Sequence, residues 1–298
     1  MSERQDRGVV LVAVLFTVAI MSVMVVAASA LTRSGIADHE LEQRRLATRL
    51  ALRSGLESAK ALIVATPPAE RAYFEGAPAA MDLGGGILAE VTIRDAAGLP
   101  DLNKSELSVI EAVLRDGIDA AEAAGLSARI GEWRREASER AKAQAPSAPA
   151  SPASDSANRQ DEQPDPLIFL SVDQLAAMLA PASAERLSGR FTVFSPAGLV
   201  NPLAASEDVL LAIPGFTRGD LATVLAVRKG RPANPEGQLQ PMLARLKPFI
   251  ALQDPTVFVI GVRLQAGPGI IAQSMAGAVV QAVEQGPLPF RTLAVSGL

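Results

Sequence analysis

The sequence predicts an α+β protein in which a long N-terminal helix packs on an antiparallel sheet, with a large α-helical domain inserted between the first strand and the last three. Three observations predict it. Residues 9–31 carry no charged side chain. Residues 87–95 and 257–264 alternate with the period of two that marks a half-buried strand. Between them, apolar residues recur at helical spacing.

The uncharged run comes first. At about 1.5 Å per residue it makes a helix of roughly 34 Å, enough to cross a hydrocarbon core about 30 Å thick. Residues 9–31 are therefore read as a transmembrane segment; the alternative is a cleavable secretory signal, with Ala27-Ala28-Ser29-Ala30 as its small-residue cleavage site. From Thr32 to Ala65 there is no proline, only Gly35 and Gly55 interrupt, and Leu, Ala, Arg and Glu dominate, so the helix continues out of the membrane. Leu46, Leu50, Leu56, Ala59 and Ile63 give this part an apolar side, while Arg44, Arg45, Arg49 and Glu57 keep the rest polar. Thr66-Pro67-Pro68 ends it, because proline lacks the N–H donor and biases its predecessor away from α geometry. One helix over 9–65, on the order of 85 Å long, is expected.

Gly84-Gly85-Gly86 introduces the first strand, where Ile87, Ala89, Val91 and Ile93 alternate with Leu88, Glu90, Thr92 and Arg94. From 102 to 143 the pattern is helical, with Leu107, Ile110, Val113, Leu114, Ile130 and Trp133 as candidate core. Residues 143–166 hold five prolines and no large apolar side chain, a composition that cannot offset its own ordering entropy, and read as a linker.

Beyond it, Glu207 to Thr217 followed by Leu221, Val224 and Leu225 reads as helix, tight turn at Pro214-Gly215-Phe216, and helix. In DNA-binding versions of this helix-hairpin-helix, the turn and the second helix present N–H groups to a phosphate. Arg218, Arg228, Lys229 and Arg231 are the basic residues available for that; the competing reading is a hairpin that simply packs within the helical domain. The chain closes in β structure: 257–264, 270–283 and 290–295, with turns at Gly267-Pro268-Gly269 and Gly286-Pro287. Such a sheet gains stability by covering one face with a helix, and the distal half of the N-terminal rod is the available cover.

Composition narrows the function classes. A net charge of −4 favours neither nucleic acid nor an anionic membrane surface. The absence of cysteine excludes disulfides, thiolate metal sites and cysteine nucleophiles. His39, the only histidine, falls just past the membrane exit and reads as an exposed helical residue. No phosphate loop, catalytic triad or carboxylate pair stands out, so no enzymatic activity is expected.

Arg7-Gly8 followed by 9–15 resembles the class III leader and N-terminal helix of type IV pilin-like proteins, which the prepilin peptidase cuts after the glycine. Gly98-Leu99-Pro100-Asp101-Leu102-Asn103, Ala128-Arg129-Ile130-Gly131-Glu132-Trp133-Arg134 and Gly198-Leu199-Val200-Asn201-Pro202-Leu203-Ala204, with the insert that divides the sheet, resemble the general secretion pathway protein K family, the large minor pseudopilin of the type II secretion system. The resemblance spans nearly the whole chain and lies in the order of the phrases more than in any one of them.

It implies a leader over 1–8 cleaved between Gly8 and Val9, an N-terminal helix over 9–65, a pilin-like domain from 66–95 and 251–298, and the inserted helical domain over 96–250. Most such subunits carry a glutamate at the fifth mature residue that neutralises the amino terminus of the subunit ahead; here that position is Ala13. A carboxylate buried without a partner costs several kcal/mol, so alanine suits a subunit with nothing ahead of it. Ala13, Ala19, Ala27 and Ala28 are the small residues that allow close helix–helix approach in the membrane.

The implied protein is a single-pass inner-membrane subunit with a periplasmic C-terminal head, capping the tip of the pseudopilus and supporting protein export. Its implied partners are the other minor pseudopilins, the major pseudopilin, the prepilin peptidase, and the secreted substrate or outer-membrane channel, with no nucleic acid. Family members bind calcium in the helical domain, but here Arg134-Arg135-Glu136 and the linker replace the acidic continuation, so no ligand set matches; Asp161, Glu162 and Asp165 are the remaining acidic candidates. The rival readings are a membrane-anchored helix-hairpin-helix DNA receptor and a type IV pilus minor pilin.

Overall fold

The computed structural model describes residues 3–144, 167–187, 189–232, 234–283 and 289–297. The linker beyond 144, with Asp161, Glu162 and Asp165, and the turn residues Gly286 and Pro287 lie outside them.

Helix α1 runs Glu3–Ala65, starting upstream of the expected 9 because residues 3–7 include Glu, Arg and Gln, which favour helix as well. It stops where the prolines require. Arg71 Nε donates to Thr66 O at 2.9 Å, satisfying a carbonyl at the helix end. A short helix, α2 (Pro68–Arg71), opens with Pro68, where the missing N–H has no intrahelical partner to lose.

Five antiparallel strands form one sheet in sequence order: β1 (Ala79–Asp82), β2 (Leu88–Asp95), β3 (Val257–Ala266), β4 (Met275–Ala282) and β5 (Phe290–Ser296). The period-two reading holds: Ala89, Val91 and Ile93, Phe258, Ile260, Val262 and Leu264, and Ala276, Ala278 and Val280 form one buried face against α1. Fully burying the Val, Ile, Leu and Phe side chains among them contributes about 1.5–3 kcal/mol each, more than the local propensities of the strands.

Two strands, not one, precede the helical insert. The segment Ala79-Ala80-Met81-Asp82 is too short and lacks the β-branched residues that announce a strand, so only its pairing reveals it. Gly84-Gly85-Gly86 turns a hairpin, with φ of +86°, +62° and +78°. Gly84 N donates to Asp82 Oδ1 (2.8 Å) and Leu83 N to Ile87 O (2.9 Å), which sets Ala79 opposite Val91. The insert thus lies between the second and third strands. The expected strand over 270–283 also shortens at its start: Ile271 N donates to Thr48 Oγ1 on α1 (2.8 Å), holding 270–274 as a turn before Met275.

The covering face of α1 agrees with the expected apolar side at Leu56, Ala59 and Ile63, which are buried, but not at Leu46 and Leu50, which are each 59% exposed; Thr48, Ala51 and Leu52 are buried in their place. Small residues decide the orientation, because the sheet comes so near that a β-carbon on Gly55 would lie 2.7 Å from Val262 Cγ1.

The helical stretch expected over 102–143 resolves into α3 (Leu107–Leu114) and α4 (Ala120–Gln144), separated by a turn. After the linker come α5 (Asp173–Ala176), α6 (Pro181–Leu187), α7 (Glu207–Ala212), α8 (Arg218–Gly230) and α9 (Pro235–Arg245). They enclose two cores, one with Leu102, Ile110, Leu114, Leu126, Ile130 and Phe169, the other with Leu210, Ile213, Val224, Leu239, Met242 and Ile250. Asn201 fastens both chain crossings between sheet and insert. Its N–H donates to Ala97 O (2.7 Å) and its Nδ2 to Gln253 O (3.3 Å) and Asp95 Oδ2 (3.4 Å).

Candidate assembly surfaces

The apolar run lies within α1, and from Val14 to Val26 its large residues are 41–69% exposed, with Ala19 exposed among them. Val14, Leu15, Phe16, Val18, Ile20, Met21 and Val23 leave no polar stripe, so this part is apolar all round. Ser22 Oγ donates to Val18 O at 2.8 Å, satisfying the hydroxyl inside the helix. Gly8, Val9, Ala13, Ala27 and Ala28 belong to α1, but their side chains lie outside the described residues. Among the described residues no helix is long and apolar enough to cross a membrane, the run being described at side-chain level only over 14–26.

Further along, α1 turns Leu41, Leu46, Leu50, Leu62 and Val64 outward, with exposed Arg44, Arg45, Arg49 and Arg53. Arg45 pairs with Glu42 at 2.7 Å and Lys60 with Glu57 at 2.8 Å. His39 is exposed, with Nε2 2.9 Å from Gln43 Nε2.

Helices α7 and α8 flank Pro214-Gly215-Phe216, and the chemistry of this turn is that of a packing unit. Gly215 has φ +79°, which glycine adopts freely. Phe216 and Ile213 enter the core, and Pro214 is half-buried. The N-terminus of α8 is already occupied. Thr217 and Asp220 form a reciprocal capping box, Thr217 N donating to Asp220 Oδ2 (2.8 Å) and Asp220 N to Thr217 Oγ1 (3.2 Å). Arg245 then pairs with that carboxylate at 2.6 Å.

The four basic residues do not converge. Arg228 is buried; its guanidinium donates to Pro202 O and Ala205 O and lies 3.4 Å from Glu75. Arg231 sits over the Tyr73 ring, 5.4 Å from its centroid. Arg218 and Lys229 remain exposed near opposite ends of α8. A phosphate at this turn would meet the Asp220 carboxylate where the DNA-binding version offers free N–H groups.

The three quoted phrases meet in one buried polar knot, which sequence reasoning treated only as markers. The Asp101 carboxylate accepts from Asn103 N (2.7 Å), Lys104 N (3.1 Å) and Ser195 N (2.8 Å). Burial nonetheless raises its pKa above the ordinary value. Arg134 donates to Leu102 O and Ser105 O, both 2.6 Å away. Gly98 lies so close to the third phrase that a β-carbon would fall 2.6 Å from Ala204 O. The Asn103 side chain accepts from Phe169 N (2.8 Å) and donates to Phe169 O (2.9 Å), seizing the chain where it returns after the linker. The signal available in the sequence was the concentration of Asp, Asn and Gly beside apolar runs, which marks turns and leaves their mutual contact open.

Among the described residues, no group of three or more acidic or histidine side chains is arranged to hold a metal ion.

No family model matches the chain, and no curated protein matches it. Among solved structures it is similar to a chain in the crystal structure of the GspK-GspI-GspJ complex from the type 2 secretion system of enterotoxigenic Escherichia coli. The identity is 15%, the match covers 85% of this chain and 98% of that one, and the TM-score is 0.44.

Proposed function

We propose that this chain is a minor pseudopilin of a type II secretion system, anchored in the inner membrane by residues 9–31, with its head in the periplasm at the tip of the pseudopilus. The observation that carries the reading is one architecture: a single helix, apolar all round over 14–26, whose distal half covers an antiparallel sheet that a helical domain divides. Such a helix gains by lying in lipid or among other apolar helices, and the sheet gains by lying on its far half.

The subunit acts by assembly and not by catalysis. The prepilin peptidase removes 1–8, the exposed apolar surface of α1 packs against the helices of other minor pseudopilins and the major pseudopilin, and Ala13, Ala19, Ala27 and Ala28 permit close approach. Ala13 at the fifth mature position removes a carboxylate that a terminal subunit has no partner for. The outward helical domain is the part available to the secreted substrate or the outer-membrane channel. The filled N-terminus of α8 and the buried Arg228 argue against the DNA receptor.

N-terminal sequencing and mass spectrometry of the membrane form, from cells that contain the peptidase, test this. A chain beginning at N-methylated Val9 is expected. An intact Met1, or a start near Leu31, overturns the reading.

A further inference from the structure

The chain crosses between the sheet and the helical insert twice, after Asp95 and before Val257. Two connections leave a body free to turn about the line through them, and relative motion is the ordinary behaviour of domains so joined. A third connection removes that freedom. Residues 71–76, between the end of α1 and β1, supply one.

This segment prolongs the edge strand towards the insert. Gly76 N donates to Ile93 O (2.9 Å) and Asp95 N to Phe74 O (3.0 Å), with Glu75 opposite Arg94. Successive side chains on extended backbone point to opposite sides. Phe74 accordingly enters the sheet core, edge-on to Phe258 with ring centroids 6.0 Å apart, while Glu75 turns to the insert, 3.4 Å from Arg228. Tyr73, in the turn before them, packs on the insert core and carries the Arg231 guanidinium over its ring at 5.4 Å. Both arginines lie at the C-terminal end of α8.

The sheet and α1 grip the same segment. Arg94 Nε donates to Glu75 O (3.1 Å) and its Nη1 to Gly189 O of the insert (2.9 Å), passing so close to Gly76 that a β-carbon there would lie 2.5 Å from Nε. Arg71 donates back to Thr66 O (2.9 Å) and Val64 O (3.3 Å) at the end of α1, and Pro67 and Pro68 restrict the chain between.

We propose that residues 71–76 are a coupling strap that makes the helical insert follow each displacement of α1 as one body with the sheet. A movement imposed on α1 during assembly then reaches the insert without being lost in a hinge. That consequence rests on the pseudopilin reading; the coupling itself does not.

The chain has no cysteine, so Ala61→Cys on α1 and Gln238→Cys on α9, both exposed, place two spin labels on the full-length protein in detergent. Double electron–electron resonance is expected to give one narrow distance distribution. Tyr73→Ala combined with Glu75→Gln is expected to at least double its width, and Tyr73→Phe to leave it unchanged, with equal helical circular dichroism in all three chains. Where the double variant loses helical signal, Glu75→Gln alone is read on the same scale. An unchanged width in the folded strap variant overturns the coupling. In cells, secretion through the chain's own system is expected to fall at least tenfold with the double variant at parental membrane levels. Full secretion despite a broadened distribution overturns the transfer of movement to the insert. Secretion that does not depend on the parent chain at all removes the pseudopilin reading and leaves the coupling standing.

Discussion

Gly55 of α1 and Val262 of β3 touch so closely that a single added methyl at 55 would lie 2.7 Å from Val262 Cγ1. This contact sets the distance between the helix and the sheet, and with it which side of α1 is covered. Alanine at 55 gains up to about 1 kcal/mol of helix propensity but meets a β-branched neighbour with little freedom to yield. Overpacking of this kind costs about 1–3 kcal/mol. Gly55→Ala is expected to lower the unfolding midpoint of the head in denaturant, and Val262→Ala to recover part of that loss when combined with it. Additive effects in the double-mutant cycle would show that the two side chains do not compete for one space.

Asp95 gives the head a pH dependence of predictable sign. Burial at the junction pushes its carboxyl up to about 6 from an ordinary 3.8, with the Ala97 N–H and the Asn201 side chain pulling partly back. The folded protein therefore holds this proton more tightly than the unfolded chain. Stability from this group is gained as pH falls from about 6 towards 3.8 and lost as pH rises again. That rise corresponds to roughly 3 kcal/mol. Asp95→Asn is expected to flatten the change in urea midpoint between pH 7 and pH 4, and an unaltered slope in the variant would assign the dependence elsewhere.

Arg228 is a test of packing against nucleic-acid binding. Its guanidinium serves the carbonyls of Pro202 and Ala205 and faces Glu75 from a buried position. Arg228→Ala leaves those groups without their donor and is expected to destabilise by about 3–5 kcal/mol, the scale for removing one partner of a buried charged contact. Arg218→Ala, on the exposed start of α8, is expected to change stability by less than about 0.5 kcal/mol. Electrophoretic mobility of duplex DNA at low salt should be unaffected by the parent chain and by Arg218→Ala. Micromolar binding abolished by Arg218→Ala would restore the receptor reading.

Asn103 holds the return of the chain after the linker through bonds to Ile168 N and to both backbone groups of Phe169. Asn103→Ala leaves buried main-chain groups unpaired at a cost of about 1–3 kcal/mol each. Limited proteolysis should then cut near Phe169 well before the parent chain is cut there. Equal cleavage rates would mean that Phe169, packed edge-on against Trp133, suffices to hold the segment.

Local chemistry announced much of the architecture. The proline stop after Ala65, the alternation in β2 and β3, and the hairpin at Pro214-Gly215 follow from restrictions between near neighbours: a missing N–H, a period of two, a glycine at positive φ. The same reasoning could not find β1, whose strand conformation comes from its partner, and on α1 it was right at Leu56, Ala59 and Ile63 but placed Leu46 and Leu50 where Thr48, Ala51 and Leu52 are buried.

Of the candidate features, the uncharged run is plain in the residues, because charge and length act along the chain. The fate of the basic cluster was not, since the atoms that bury Arg228 belong to Pro202 and Ala205 and the carboxylate that fills the α8 terminus is held by Arg245, each more than twenty positions away. Period and propensity are written into neighbouring residues. Which face is covered and which charge is buried are settled by groups that meet only when the chain has folded, as Thr48 meets Ile271 across 223 positions.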